Sequence, residues 1–239
     1  MLHDLLGIST KEKRIVSLLG GGGKTTLMFA LARESAAFGN TALFTTTNIF
    51  RPDEPDIDFL HPFSPEKAQS VWEGKRIVST GLPLGNINKI AAPENDAQHW
   101  LFDHGDGIYI EADGAKRMPL KYPASWEPVI PVQTTHTIVV VGLSALGKSR
   151  ESVVHRAELA EIECAYREPI VTEEGMAQLL WAGYGRFDPV VVLNQADTQE
   201  LDIRGQRVAQ LLLSMGARRV VIISMKNYLK ANAESLPSE

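Results

Sequence analysis

Short apolar runs recur along the chain, and each is followed by residues typical of loops. Most of the runs are rich in Val and Ile. Continuous apolarity of this kind predicts strands that are buried on both faces, which is the habit of parallel sheets. The runs lie at residues 14–19, 41–47, 76–80, 107–112, 137–143, 189–194 and 219–224.

Amphipathic segments lie between several of these runs and predict helices. Residues 24–39 carry apolar positions at helical spacing and end in glycine, a common helix stop. Thr172 precedes two glutamates as a predicted N-cap, and residues 201–216 place an apolar stripe on one side. Residues 150–162 also have a helical pattern.

The alternation of strands and helices predicts right-handed βαβ units. We therefore predict an α/β fold of three layers, in which helices cover both faces of a doubly wound, mostly parallel sheet. One domain spans residues 1–239, and a proline-rich segment at about 51–105 is an elaboration of it.

The composition narrows the class of partner. A net charge of −5 offers no basic field for a nucleic acid or an anionic membrane, and 44% hydrophobic residues suffice for a core. A single cysteine, Cys164, excludes an internal disulfide, and no Cys/His cluster has metal-ligand spacing. The N-terminus lacks the pattern of a leader peptide, so we expect a cytoplasmic protein whose partners are small molecules or proteins.

Two segments compete for the role of phosphate-binding loop. Residues 142–149, GLSALGKS, fit the pattern G-x-x-x-x-G-K-S/T, whereas residues 18–26, LLGGGGKTT, have Leu18 in place of the first glycine. Only the earlier segment combines strand, glycines, helix and next strand, the context in which backbone N–H groups surround a phosphate. The later segment would turn two leucines toward the phosphates, so Lys148 is predicted to be a solvated lysine. The predicted nucleotide contacts are Gly20, Gly21, Gly22, Gly23, Lys24, Thr25 and Thr26, with Thr25 also binding Mg²⁺.

Acidic residues follow the strand predicted at residues 107–112. Glu111 and Asp113 are placed to organise Mg²⁺ and an attacking water, and the Gly114 amide to sense the γ-phosphate. Solvated loop acids are the alternative. Thr45, Thr46 and Thr47 end a strand at the same sheet edge, and we assign Thr46 to the metal site, although β-propensity also explains the threonines.

Residues 194–197, Asn-Gln-Ala-Asp, follow another buried strand and are similar to the N-K-x-D box that reads guanine. Asn194 and Asp197 keep two of its positions, while Gln195 replaces the lysine. The pattern favours GTP over ATP, because a carboxylate accepts from both N–H groups of the guanine edge. A turn that caps a helix is the alternative.

A basic, proline-stiffened stretch follows the acidic strand. Lys116, Arg117 and Lys121 are predicted to hold a second anionic ligand or a partner, with a solvated loop as the alternative. No role is assigned to His155 or Arg156.

Several of these segments together carry a family resemblance. They are GGGGKTT at 20–26, TTTN at 45–48, residues 111–131, residues 142–156, and LNQAD at 193–197. In this combination the chain resembles the YqeC-like proteins, accessory factors of selenium-dependent molybdenum hydroxylases. The resemblance implies a P-loop NTPase-like protein that assists sulfur or selenium insertion or delivery, and treats residues 142–148 as an element separate from the phosphate loop. Leu19 stands where related maturation NTPases carry a lysine.

The resulting hypothesis is an accessory factor that binds a nucleoside triphosphate with Mg²⁺ and hydrolyses it slowly. Lys24, Glu111 and Asp113 are its predicted catalytic residues, and a protein client is expected. A small-molecule kinase or ATP-dependent ligase is the first alternative, and a nucleotide-sensing module without turnover is the second.

Overall fold

The computed structural model describes residues 1–85 and 88–234. Asn86 and Ile87 of the proline-rich segment, and residues 235–239 of the predicted domain, lie outside the described residues. The chain divides into two compact units. The first unit comprises Met1–Leu19, Thr25–Gly114 and Trp126–Thr137, and the second comprises Gly20–Lys24, Ala115–Ser125 and the described chain from Ile138 onward.

The described strands include all seven that the apolar runs predict. They are β1 (Arg14–Gly20), β2 (Thr41–Thr45), β3 (Ile49–Phe50), β4 (Ile57–Leu60), β5 (Ile77–Thr80), β6 (Leu82–Pro83), β7 (Lys89–Ala91), β8 (Gly107–Glu111), β9 (Leu120–Lys121), β10 (His136–Gly142), β11 (Val154–His155), β12 (Val190–Asn194) and β13 (Val220–Ile222).

Helices alternate with the main strands. They are α1 (Leu2–Leu6), α2 (Lys24–Ala36), α3 (Pro65–Glu73), α4 (Asn95–His104), α5 (Arg150–Val153), α6 (Ala157–Cys164), α7 (Glu173–Tyr184), α8 (Gln199–Ser214) and α9 (Met225–Glu234), with 3₁₀ turns at Leu143–Ala145 and Gly185–Phe187. Within residues 1–85 and 88–234, none of these helices has both the length and the apolarity to cross a membrane.

One central sheet of eight strands lies in the described part of the chain. Its order is β13-β12-β10-β1-β8-β2-β5-β4. The strand pairs β1–β8, β8–β2, β2–β5, β5–β4, β10–β12 and β12–β13 are all parallel. The predicted fold class, α/β with a mostly parallel sheet and flanking helices, is confirmed.

The first unit builds its core from the apolar runs and the helices that follow them. β8 lies between β1 and β2, and the register places Leu18 and Thr45 on either side of Glu111. Trp72 of α3 donates its indole N–H to the Thr41 carbonyl at 2.8 Å, so this large side chain is buried without an unsatisfied donor. The core cluster comprises Ile15, Ala42, Phe44, Ala68, Trp72, Val78, Leu101, Phe102, Ile108 and Ile110.

The proline-rich segment belongs to the first unit. It contributes β4 and β5 to the edge of the central sheet, and β6 and β7 form a separate antiparallel sheet with β3. The segment therefore adds two strands to the central sheet and also forms most of a second, smaller sheet.

The second unit contains β12 and β13, with α7 before β12 and α8 between the two strands. Thr172 caps α7 as predicted, because its hydroxyl accepts from the Gly175 amide at 3.0 Å. Thr198 caps α8 by accepting from the Leu201 amide at 3.2 Å.

The helix predicted over residues 150–162 is interrupted. α5 ends at Val153, and Val154 and His155 form β11, which pairs in parallel with β9. Arg156 then takes a left-handed conformation at φ 65° before α6 begins. Pairing with a distant strand has overridden the local helical pattern here, so the prediction of one continuous helix is wrong.

Candidate functional site

The glycine loop, residues Gly20–Lys24, lies between the end of β1 and the beginning of α2. Leu18, which replaces the first glycine of the consensus pattern, is fully buried within β1. It is therefore a strand residue, and its side chain does not disturb the loop that follows.

Two glycines in this loop are required by their surroundings. Gly22 has φ 71°, and a Cβ there would lie 2.2 Å from the Gly142 amide nitrogen. Gly23 has φ 115°, and its Cβ would lie 2.5 Å from Asn194 Nδ2. Both positions have a positive φ, and at both a Cβ would collide with a neighbouring atom, so only glycine fits.

Hydrogen bonds hold the glycine loop within the second unit. The Gly21 amide donates to the Val140 carbonyl at 2.8 Å, and the Gly22 amide donates to the Met118 carbonyl at 3.1 Å. Asn194 Nδ2 donates to the Gly22 carbonyl at 2.8 Å. Lys24 is 4% exposed and its ammonium group donates to the Gly20 carbonyl.

The beginning of α2 fits a phosphate group. The amides of the first helical turn have no carbonyl partner within the helix, and the helix dipole adds partial positive charge there. Lys24 and Thr25 are the first two residues of α2. A lysine, first-turn amides and a glycine backbone are the donors that a pyrophosphate requires.

In the first unit, Thr25 and Glu111 are brought into direct contact. The Thr25 hydroxyl donates to Glu111 Oε2 at 2.7 Å, although the two residues are 86 positions apart in sequence. Glu111 is 6% exposed, and Asp113, two residues later, is fully buried. A hydroxyl and a carboxylate oxygen fit Mg²⁺, which binds to few protein ligands and completes its shell with phosphate oxygens and water.

The threonines at the end of β2 support the backbone around Glu111. Thr45 Oγ1 donates to the Glu111 carbonyl at 2.8 Å, and the Thr46 amide donates to the same carbonyl at 3.2 Å. The Thr46 hydroxyl, predicted as a metal ligand, donates to the Val129 carbonyl at 2.6 Å. A Cβ at Gly114 would meet nothing within 4 Å, so close packing does not require glycine there.

The later consensus match, residues 142–149, has a different local structure. Leu143 and Leu146 are buried, whereas Lys148 is exposed. Four backbone amides of this segment donate to protein carbonyls: Gly142 to Pro119 at 2.8 Å, Leu146 to Leu143 at 3.0 Å, Gly147 to Val171 at 2.8 Å and Lys148 to Ala145 at 3.1 Å. The helix after this match, α5, has 4 residues, whereas the glycine loop leads into α2, which has 13; this difference supports the choice of Lys24 over Lys148 as the phosphate lysine.

The residues of the predicted guanine box lie at the end of β12 in the second unit. Asn194 is 3% exposed, and its Oδ1 accepts from the Met225 amide at 3.0 Å, so its amide joins α9 to the glycine loop. Gln195 has φ 65° and its Oε1 accepts from the Ser144 hydroxyl. Asp197 is exposed and accepts from the Ser224 hydroxyl. Thr198 caps α8, the helix that follows the box, whereas Asn194 accepts from the first amide of α9.

The three basic residues predicted to act together have different environments. Lys116 and Arg117 are exposed and take left-handed conformations, with φ 47° and 64°. Lys121 is 1% exposed within β9, opposite His155 of β11. Only Lys116 and Arg117 are therefore presented to solvent.

Tyr122 follows β9 directly and is buried. Burial raises the pKa of its hydroxyl to about 12, and the nearby Cys164 and Glu163 act in the same direction. Burial therefore disfavours the phenolate form of Tyr122.

The structure also places residues that the sequence analysis did not assign. In the predicted guanine box, Ser144 donates to Gln195 and Ser224 donates to Asp197. The backbone carbonyl of Met118 accepts from the glycine loop. Ser224 is the last residue of the apolar run 219–224, and a polar residue at that position indicates the sheet edge at which the parallel strands end. The role of a backbone carbonyl such as that of Met118 has no sequence signal.

Comparisons with known proteins identify relatives of the chain. The "YqeC protein" family model matches residues 16–158, more than half of the chain. An Escherichia coli (strain K12) protein titled "Uncharacterized protein YqeC" is 31% identical over 169 residues, 64% of this chain and 61% of the relative, so the match spans about three fifths of that relative's length. The crystal structure of Hydrogenase Maturation Factor HypB from Archaeoglobus fulgidus has 10% identity and a TM-score of 0.43, over 93% of this chain and 89% of that one. The match to the family model shows that the chain belongs to the YqeC protein family.

Proposed function

We propose that this protein binds a nucleoside triphosphate with Mg²⁺ and hydrolyses it slowly, as an accessory factor whose nucleotide state is read by a client protein. The observation that carries this proposal is the 2.7 Å contact between Thr25 and Glu111. A threonine directly after the loop lysine and a carboxylate at the end of a neighbouring parallel strand form the Mg²⁺-binding pair of such sites.

Five of the predicted residues have roles in this proposal. Thr25 and Glu111 would hold Mg²⁺, which supplies charge neutralisation at the phosphates. Lys24 stabilises negative charge that develops on the transferring phosphoryl group. Asp113 orients the attacking water, and the Gly114 amide responds to the γ-phosphate. Asp113 is fully buried next to the end of β8.

We propose GTP as the preferred nucleotide. Asp197 is exposed in the segment that follows β12, and Ser224 donates to one of its carboxylate oxygens, which orients the carboxylate. A carboxylate accepts from the two N–H groups of the guanine edge, a pattern that adenine does not present. Asp197→Asn is therefore expected to weaken GTP binding while leaving ATP binding nearly unchanged. Equal loss for both nucleotides would argue against base reading.

The client proposed from the family resemblance is a selenium-dependent molybdenum hydroxylase or its cofactor-maturation machinery. Segment 111–131 begins at the predicted metal ligand Glu111 and contains exposed residues, among them Trp126, which is 71% exposed. A nucleotide-dependent change at Glu111 would reach this surface through the chain itself.

A small-molecule kinase or ligase is favoured by one observation, the exposed cations Lys116 and Arg117 just before Met118, whose carbonyl bonds to the glycine loop. Such an enzyme would require an anionic acceptor at these cations. Hydrolysis that rises many-fold with one metabolite, without a protein partner, would identify this alternative.

The testing experiment compares GTP and ATP binding and hydrolysis, with Mg²⁺, in the wild type, Lys24→Ala and Lys148→Ala. Loss in Lys24→Ala alone is the expected result, and Lys148→Ala is the matched control because its lysine lies in the rejected consensus match. Loss in Lys148→Ala alone would overturn the assignment of the glycine loop. Tight binding with unchanged triphosphate after long incubation would identify a sensing module without turnover.

A further inference from the structure

A backbone carbonyl of the basic segment is bonded to the glycine loop. The Met118 carbonyl accepts from the Gly22 amide at 3.1 Å, and a Cβ on Gly21 would lie 2.5 Å from the same oxygen. The next carbonyl, that of Pro119, accepts from the Gly142 amide at 2.8 Å. Met118 is therefore held directly against the loop, within the second unit.

The hydrogen bond from the Gly22 amide to the Met118 carbonyl occupies a donor that a bound phosphate would need. Glycine loops bind phosphates through consecutive backbone N–H groups and a lysine. Here the Gly22 amide is used by Met118, and Lys24 donates to the Gly20 carbonyl of its own loop. For the Gly22 amide to reach a phosphate oxygen, the Met118 carbonyl must give up this hydrogen bond.

The residues before Met118 form a turn that can change conformation. Lys116 and Arg117 have φ 47° and 64°, a conformation in which an L-residue with a side chain is disfavoured. The Met118 amide closes the turn by donating to the Ala115 carbonyl at 2.9 Å. The contacts of Met118 and Pro119 help to hold these two left-handed residues, so loss of the Met118 contact would remove part of the support of the turn.

We propose that residues Ala115–Met118 form a latch turn that closes the glycine loop and is displaced when nucleotide binds. This inference rests on the nucleotide binding proposed above. The latch turn contains both exposed cations, so its displacement changes how Lys116 and Arg117 are presented. Nucleotide occupancy thereby controls the exposed cations, and the closed latch lowers the apparent nucleotide affinity by the fraction of molecules it holds closed.

Substitutions in the latch turn test this proposal without touching the nucleotide contacts. Glycine at position 116 or 117 removes the penalty of the left-handed conformation and favours the closed latch, whereas glutamine removes the charge but keeps the penalty. Lys116→Gly and Arg117→Gly are therefore each expected to raise the apparent Kd for GTP or ATP about threefold relative to Lys116→Gln and Arg117→Gln. Equal or tighter binding by the glycine variants would overturn the latch.

Hydrogen exchange of the wild-type protein gives a second measurement that does not depend on variants. Saturating nucleotide with Mg²⁺ is expected to increase exchange at the Met118 amide, because the latch turn opens, although ligands usually protect the amides that they contact. Protection or no change at residues 115–118, in protein shown to bind nucleotide, would refute the latch alone. Absence of nucleotide binding to the wild type would refute both the latch and the proposed function.

Discussion

The contact between Thr25 and Glu111 offers the sharpest test of the site. Thr25→Val keeps the shape of the side chain and removes the hydroxyl that donates to Glu111 at 2.7 Å. Glu111 is 6% exposed, and a hydrogen bond to a charged group contributes about 1.5–3 kcal/mol to stability. For a chain of 239 residues, a loss of about 2 kcal/mol lowers Tm by roughly 4–8 °C. Thr25→Ser retains the hydroxyl and is expected to remain close to the wild type.

The same pair predicts a dependence on Mg²⁺. If both oxygens ligate one ion, Thr25→Val and Glu111→Gln each lower nucleotide affinity in Mg²⁺ by about tenfold, or about 1.4 kcal/mol, with a smaller effect in EDTA. A double-mutant cycle on nucleotide affinity, measured with and without Mg²⁺, isolates their interaction. The expected combined loss in Mg²⁺ is smaller than the sum of the single losses. Additivity within about 0.5 kcal/mol, or equal losses with and without Mg²⁺, would refute a shared metal site.

Three further changes test the surroundings of the site. Gly22→Ala is expected to lower the free energy of unfolding by at least about 2 kcal/mol in chemical denaturation, since its Cβ would overlap backbone atoms. The control, Gly85→Ala, has φ 54° and nothing within 4 Å, so it is expected to cost about 1 kcal/mol. Similar losses in the two variants would refute this account of the loop. Glu173 accepts from Arg204 Nε at 2.7 Å and from Arg204 Nη2 at 3.2 Å, and these contacts lower the pKa of Glu173. Glu173→Gln removes the negative charge and one of the two acceptor oxygens. The wild type should exceed this variant by about 1 kcal/mol near pH 7, and the difference should fade as pH drops below about 4.3, because a carboxyl group with a lowered pKa contributes stability only while ionised; a difference that persists at pH 2 would contradict this reasoning. Asn194→Asp replaces a donor to the loop with an acceptor and should weaken GTP and ATP binding equally in titrations, whereas loss of GTP binding alone would make Asn194 a base-reading residue.

Part of the fold could be predicted from local pattern. Seven apolar runs became strands because each is long enough and apolar enough to be buried on both faces of a parallel sheet. β4 was missed, because its residues, Ile57–Leu60, include an aspartate and are mostly half-buried at the sheet edge. The helical pattern at residues 150–162 was misleading, because a distant strand, β9, competes for Val154 and His155.

The sequence predicted which residue types form the candidate site, but it did not predict which of them are buried or in contact with one another. Glycines, a lysine and a carboxylate at strand ends indicate phosphate and metal binding by residue type. The sequence did not indicate that Lys121 is 1% exposed, because the alternation of charge and proline around it is equally typical of a solvated loop.

The sequence by itself determined that β1, the glycine loop and α2 follow one another along the chain, because this succession depends on residues that are neighbours in sequence. Only the tertiary structure decided that Thr25 meets Glu111, that Asn194 joins the glycine loop to α9, and that the Met118 carbonyl bonds to the Gly22 amide. These contacts join residues far apart in sequence, and strand register and chain packing set their distances. Local hydrophobic pattern specifies which residues form a strand, whereas the close packing of the whole chain specifies which strand ends and carbonyls come together.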